Sequence, residues 1–163
     1  SATRRVRKDP ELVALRGHVL LEADPGAAIP LLESALGENE RLPEPALDLA
    51  IARLRTGAPR VSEAIRHALS LAHDGGAAIQ ALERECERLA RDPAARDRAL
   101  AAAETLAGNF PGRRASHELV LRLLVARREW APVREAARRA DAAFPGDPDF
   151  GRVWRQAEVE LSK

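Results

Sequence analysis

The tripeptide Phe110-Pro111-Gly112 recurs as Phe144-Pro145-Gly146, 34 residues further along the chain. The segments ahead of the two copies also correspond, because the pair Ala102-Ala103 aligns with the pair Ala136-Ala137. A period of about 34 residues is typical of arrays built from helix-turn-helix units. Such arrays usually present binding surfaces, so the period bears on function as well as on fold.

The composition is that of a globular chain with little net charge. Of 163 residues, 45% are hydrophobic and 31% are charged, and the formal net charge is +1. We expect one domain and no global field that recruits nucleic acid or a membrane. The single cysteine, Cys86, excludes an internal disulfide and leaves the redox compartment open. Arg supplies 24 of the 26 basic residues and Met is absent, which suggests a fragment of a larger bacterial protein.

Start and stop signals divide the chain into nine predicted helices. Asp-Pro occurs four times, and an Asp can cap a helix whose first residue is Pro. Glycines such as Gly37, Gly57 and Gly108 follow apolar segments and indicate helix ends. No strand pattern is present. The predicted helices cover residues 10–23, 26–36, 45–56, 60–73, 77–91, 93–108, 115–128, 131–143 and 148–161.

Small residues recur at equivalent places in the second helix of each pair. They are spaced 36, 35 and 34 residues apart, at Ala28, Ala64, Ala99 and Val133. The first helix adds the pattern Leu12-x-x-Leu15-x-Gly17, and the last repeat has Trp130 and Pro145 near its ends. In these residues the chain resembles the tetratricopeptide repeats. The resemblance implies an all-α, right-handed superhelical α-solenoid of about four helix-turn-helix hairpins plus a C-terminal capping helix.

The resemblance also implies a division of the chain. We expect a basic N-terminal arm or linker over residues 1–8 and a repeat domain over residues 9–163. The implied repeats cover about residues 10–40, 44–76, 77–112 and 115–148, and the cap covers residues 148–161. A related α-solenoid of helical hairpins is the alternative.

In tetratricopeptide arrays the first helix of each hairpin lines a concave groove, which implies one ligand-facing stripe on each first helix. The implied stripe comprises Val13, Gly17, Leu20, Leu49, Arg53, Arg84, Arg88, Glu118, Arg122 and Val125. Arg can hold a carboxylate through two parallel hydrogen bonds. The implied partner is another protein or a peptide, with an acidic or C-terminal segment and an apolar anchor. The alternative is that these arginines are ordinary surface residues.

Recognisable catalytic and metal-binding motifs are absent from the sequence. The histidines lack the i, i+4 spacing of a zinc helix, and there is no nucleophile elbow or phosphate-binding loop. We therefore expect no enzyme, no cofactor, no metal and no small-molecule substrate. The charged run at 83–88 predicts a solvated, ion-paired face, with Glu87 paired to Arg91 four residues on. Cys86 aligns with apolar neighbours and is expected in the core.

Two further features suggest other functions. The first helix is apolar on more than one side, at Leu12, Val13, Leu15, Val19, Leu20 and Leu21. Such a helix needs a second neighbour: a preceding repeat, the arm, or another copy of the chain in a homo-oligomer. Residues 113–139 hold eight arginines against three glutamates, so a nucleic-acid binder is the third hypothesis. The arm, with Arg4, Arg5, Arg7 and Lys8, fits a linker, a juxtamembrane segment or a nucleic-acid contact.

Overall fold

A computed structural model describes residues 9–73 and 75–163, and within these ranges the protein is all-α. Nine α-helices and one short 3-10 helix form there, and no strand does. The α-helices are α1 (Pro10–Ala23), α2 (Pro25–Glu38), α3 (Pro43–Thr56), α4 (Val61–Leu71), α5 (Gly75–Leu89), α6 (Arg96–Asn109), α7 (Arg114–Ala126), α8 (Trp130–Ala143) and α9 (Pro148–Leu161). Each predicted helix is present, with its ends within three residues of the prediction. The predicted arm, residues 1–8, lies outside the described residues.

Each of the four Asp-Pro pairs begins a helix, because the carboxylate caps amides that have no partner inside the helix. Asp9, Asp24 and Asp147 accept hydrogen bonds of 3.0 Å from backbone N–H groups at the starts of α1, α2 and α9. Asp92 does the same for the 3-10 helix Pro93–Ala95 that leads into α6. At the other end of a helix, Gly57 takes a left-handed conformation (φ 72°) and terminates α3.

The chain forms two compact units, Ser1–Ala78 and Ile79–Lys163, called unit 1 and unit 2 below. In unit 1 each helix from α1 to α4 packs on the next, and α1 also packs on α3. One residue links α1 to α2, so the two helices form an antiparallel hairpin. The main core cluster of this unit contains Leu21, Ala28, Leu32, Leu49 and Ala52.

Helices α1 and α2 approach each other closely at a residue that has no side chain, Gly17. A Cβ atom added to Gly17 would lie 2.8 Å from both Cγ and Cδ2 of Leu32, and 3.5 Å from the Ala28 carbonyl oxygen. Leu32 is fully buried, so it has little room to move. Gly17 is therefore required where α1 meets α2.

In unit 2, α6 packs on α7, α7 on α8, and α8 on α9. Two hydrogen bonds of 2.9 Å from Arg113 to Glu83 connect α5 to the start of α7. Cys86 lies fully buried on α5, as predicted, and burial raises the pKa of its thiol to about 12. On the capping helix α9, Phe150 is buried whereas Trp154 is only partly covered.

Candidate binding surfaces

In unit 1 the predicted ligand-facing stripe lies in the hairpin interface and the core. Val13 and Gly17 are buried on α1, and Leu20 is half-buried against the main core cluster. Leu49 belongs to that cluster itself. These side chains stabilise the fold, and the structure leaves Leu49 almost no surface for a ligand.

Arg53 is also buried, with 9% of its surface exposed. Its Nη2 donates to Glu33 Oε1 at 2.6 Å, and its Nη1 donates to the Arg60 carbonyl oxygen at 3.3 Å. The guanidinium thus joins α3 to α2 and to the start of α4. Two of its N–H donors are used within the chain, and little of the Arg53 side chain is exposed to a ligand.

The open surface of unit 1 begins one residue away from the predicted stripe. Successive helical residues point about 100° apart, so a shift of one residue selects a different face. A cavity of about 740 Å³ lies between α1 and α3, and we call it the α1–α3 groove. Its described lining residues are Glu11, Ala14, Leu15, His18, Leu42, Pro43, Glu44, Pro45, Leu47 and Asp48.

A histidine–carboxylate pair lies in the α1–α3 groove. His18 Nδ1 is 2.8 Å from Asp48 Oδ2, and the side chains of His18 and Asp48 are 64% and 12% exposed. The hydrogen bond to Asp48, with its negative charge, raises the pKa of His18 above 6.5. Burial raises the pKa of Asp48 above 3.8, although the hydrogen bond from His18 opposes this shift.

The predicted arginines of unit 2 are exposed, unlike Arg53. The Arg84 side chain has no hydrogen bond or ion pair among the described residues, and the Arg88 side chain pairs with Glu85 on the same helix. Arg122 Nη2 donates to Glu87 Oε1 at 3.0 Å and so connects α7 to α5. Glu87 therefore pairs with a residue on another helix, and the predicted pair with Arg91 does not form.

The charged run on α5 is ion-paired, as the sequence predicts, but only Arg84, Glu87 and Arg88 belong to a solvated face. Glu83 is half-buried and Glu85 is buried. Besides the two bonds from Arg113, Glu83 accepts a hydrogen bond of 2.8 Å from Ser116 Oγ. Burial alone would raise the pKa of Glu83, but these hydrogen bonds outweigh it and hold that pKa below 4.5. The partners lie about 30 residues later in the sequence, beyond the reach of a helical spacing rule.

Arg122 does line an open site, which we call the α5–α7 pocket. Its volume is about 340 Å³, and its described lining residues are Glu87, Ala90, Arg91, Arg96, Leu119, Arg122, Leu123, Ala126 and Arg127. Arg91 and Arg96 belong to none of the predicted sites, whereas Arg127 belongs to the arginine-rich stretch at 113–139. Arg91 and Arg96 lie close together in the sequence, on either side of the loop that ends one predicted helix and begins the next.

The arginines of the α5–α7 pocket differ in how firmly they are held. Arg127 contacts Asp97 at 2.6 Å and Glu129 at 2.7 Å. Arg96 donates through Nε to a backbone carbonyl at 3.1 Å, which leaves its terminal nitrogens for other partners. The Arg91 side chain is exposed and has no partner in the part of the chain that the structure describes.

The arginine-rich stretch at 113–139 is mostly neutralised by the protein itself. Six of its eight arginines have a carboxylate partner: Arg113, Arg114, Arg122, Arg127, Arg134 and Arg138. Within the described residues, Arg128 and Arg139 are the two that have none. A phosphate-binding face would have to compete with these internal pairs.

An apolar stripe remains exposed on α1. Leu12, Leu15 and Val19 are 52%, 57% and 69% exposed and lie on one side of the helix. Exposed apolar residues that line up in this way indicate a contact surface more strongly than scattered ones do.

Over residues 9–73 and 75–163, no group of three or more His, Cys, Asp or Glu side chains is placed to hold a metal ion. In the same ranges no helix combines the length and the apolar character needed to cross a membrane.

The sequence matches no protein-family model and no curated protein. Several solved structures of MamA are similar to it. MamA 41-end from Desulfovibrio magneticus RS-1 is 16% identical, with 95% of this chain and 86% of that chain covered and a TM-score of 0.48. MamA AMB-1 is 18% identical, with 94% and 82% covered and a TM-score of 0.47. At these values the likeness assigns neither a family nor a function to the chain.

Proposed function

We propose that this chain is a non-catalytic protein-interaction module, and that the α5–α7 pocket of unit 2 binds an acidic segment of another protein. The observation that supports this function is the grouping of Arg91, Arg96 and Arg122 around one apolar floor. That floor is formed by the partly exposed side chains of Leu123, Ala90 and Ala126. The pocket thus offers cationic donors and an apolar surface within one small volume.

The ion pair at the pocket leaves Arg122 able to change partner. Arg122 and Glu87 are both largely exposed, and exposed pairs contribute only about 0–1 kcal/mol. A ligand carboxylate can therefore replace Glu87 at little cost, and Arg91 adds donors that have no described partner. Two guanidinium groups can then hold one carboxylate through charge-assisted hydrogen bonds, which are stronger than neutral ones.

The apolar floor supplies the second half of recognition. Leu123 is half-buried on top of the buried Leu119, so an aliphatic ligand side chain can lie on Leu123, which the fold already holds in place. A preformed site lowers the cost of ordering the protein on binding. The implied ligand is an extended segment that has an acidic residue beside an aliphatic one.

This function can be tested with a fluorescently labelled synthetic peptide of alternating Leu and Glu residues, by anisotropy with the full chain. Arg91→Gln and Arg122→Gln should each weaken binding about fivefold to tenfold, as expected for a lost charge-assisted hydrogen bond. Arg84→Gln is the matched control, because Arg84 is exposed on α5 but lies outside the pocket. Equal affinities for all three variants would exclude the pocket as the binding site.

Self-association through α1 is the second candidate function, and the exposed stripe of Leu12, Leu15 and Val19 favours it. Light scattering after size exclusion should then show a mass that rises with concentration and that Leu12→Glu returns to the monomer value. Leu20 is a poorer position for this test, since it is half-buried against the core and a charge there would disturb folding. A monomer at every concentration would contradict this candidate.

A further inference from the structure

We propose that the α1–α3 groove of unit 1 is a second binding site, for a segment of another protein that carries Arg or Lys side chains next to aliphatic ones. This inference goes beyond the proposed function, which assigns an acidic ligand to the α5–α7 pocket of unit 2. The two sites call for opposite charges, so either proposal can fail while the other stands.

The charge of the groove is the first observation. Glu11, Glu44 and Asp48 line it, and no described lining residue is Arg or Lys. Carboxylates with no cation of their own attract a cationic ligand and repel an acidic one. The cavity of about 740 Å³ is wide enough for several ligand side chains at once.

Asp48 is the second observation, because its carboxylate is buried and under-bonded. It accepts one hydrogen bond among the described residues, from His18, although a carboxylate can accept about four. Arg55 acts on it only through longer-range attraction, and Glu44 repels it. A guanidinium or ammonium from a ligand would give Asp48, whose side chain is 12% exposed, a permanently charged donor beside the titratable His18.

The apolar part of the lining is the third observation. Leu15 is largely exposed at the groove, and Leu42, Pro43, Pro45 and Leu47 line it from the other element. Proline offers no backbone N–H, so this wall recognises a ligand through apolar contact and shape. An aliphatic side chain beside each ligand cation would cover it.

The probe for this proposal is a labelled peptide of alternating Leu and Arg, acetylated and amidated so that its termini are neutral. Binding to the full chain is followed by anisotropy. Glu11→Gln and Glu44→Gln should each weaken binding about threefold, and together about tenfold, as for partly exposed charge pairs. Affinity should also fall as salt is added, because salt screens exposed charges.

Glu38→Gln is the matched control, since it removes the same charge from an exposed position of unit 1 outside the groove. Leu15→Ser tests the apolar half and should weaken binding about threefold. Circular dichroism confirms that each variant is folded. Equal affinities for the double variant and for Glu38→Gln would overturn the proposal, as would tight binding of the Leu–Glu peptide to this groove.

The chain itself carries basic side chains beside an aliphatic one, in residues 1–8, so the test must distinguish this segment from a segment of another protein. Residues 1–8 include Arg4, Arg5, Val6, Arg7 and Lys8. If replacing these four basic residues by Gln in the full chain raises the affinity for the probe tenfold, the groove serves this segment and the proposal of an external partner is overturned. A concentration-dependent mass that Glu44→Gln abolishes would assign the groove to a second copy and also overturn it. Unchanged affinity and a constant mass support an external partner.

Discussion

Unit 1 and unit 2 are both built from helical hairpins joined by Arg–Glu pairs, yet they differ in the charged groups that those pairs leave exposed. In unit 2, Arg113 at the start of α7 and Arg122 on α7 bind Glu83 and Glu87 on α5, so basic and acidic groups neutralise each other between neighbouring hairpins. In unit 1, Arg55 on α3 likewise binds Glu22 on α1, but the groove between these helices keeps three carboxylates, and its described lining includes a histidine and no Arg or Lys. An arginine on the first helix of a hairpin therefore indicates an ion pair with the neighbouring hairpin more strongly than it indicates a ligand site.

The two units share one stabilising device and differ in another. Both have ion pairs between residues about one repeat apart, Arg55 with Glu22 at 2.9 Å in unit 1 and Arg114 with Asp147 at 2.8 Å in unit 2. Unit 1 also depends on a close apolar contact, for which Gly17 lets α2 approach α1. Both tryptophans, Trp130 and Trp154, lie in unit 2, so tryptophan fluorescence reports on that unit whereas circular dichroism reports on both.

The largest effect should come from Leu32→Ala in unit 1. Leu32 is fully buried where α1, α2 and the core cluster meet, and its truncation leaves a cavity. We expect the free energy of unfolding to fall by about 3 kcal/mol. Urea unfolding followed by circular dichroism measures this change. Leu12→Ala is the control, since Leu12 is largely exposed, and an equal loss in both variants would show that unit 1 does not depend on this packing.

The next effect should come from Glu83→Gln in unit 2. The change removes the charge that Arg113 pairs with and disturbs the bond from Ser116, all in a half-buried setting. We expect a loss of about 2 kcal/mol in the tryptophan fluorescence transition. Glu87→Gln is the matched control four residues later, where the pair with Arg122 is exposed and the loss should be about 0.5 kcal/mol. Similar losses of stability in the two variants would mean that burial does not make the Glu83 pair more stabilising than the Glu87 pair.

A smaller effect, which changes sign with its context, is expected at Gly17. Gly17→Ala alone should destabilise the protein by about 1 kcal/mol, because the new Cβ overpacks against Leu32. In a Leu32→Ala background the same change should stabilise it by about 1 kcal/mol, since Ala favours helix over Gly. Comparing the single and double variants by urea unfolding isolates this coupling. The same sign in both backgrounds would refute close approach as the reason for the glycine.

The smallest effect should be an opposite pH dependence of the two units. The raised pKa of His18 stabilises unit 1 fully below pH 6.5, and this contribution is lost as pH rises through the folded-state value. The lowered pKa of Glu83 stabilises unit 2 above pH 4.5, and this contribution is lost as pH falls through the folded-state value. The raised pKa of Asp48 acts in the same direction as that of His18.

The His18 contribution should be small because its side chain is largely exposed. NMR titration of the His18 ring measures its folded-state pKa, and tryptophan fluorescence followed into acid measures the loss in unit 2. His18→Gln should remove the loss of stability on the alkaline side. A His18 pKa at or below 6.5 would contradict the pairing with Asp48.

The sequence predicts the helices well because their signals are local. Asp24 and Pro25, for example, specify a helix start from two adjacent residues. The face of each helix is less well determined, because a stripe such as Leu49 and Arg53 is one residue from the open surface and a rotation of about 100° moves it into the core. The pairing of Glu83 depends on Arg113, and no local sequence pattern connects two residues that are 30 positions apart.

The single cysteine is a built-in probe of how often its surroundings open. Cys86 is fully buried, and its thiol, with a pKa of about 12, is almost entirely protonated at neutral pH. A thiol reagent can therefore modify it only after α5 has moved away from its neighbours. Because the chain holds one cysteine, the rate of that reaction with reagent in large excess reports how often unit 2 opens around Cys86, without any label being introduced.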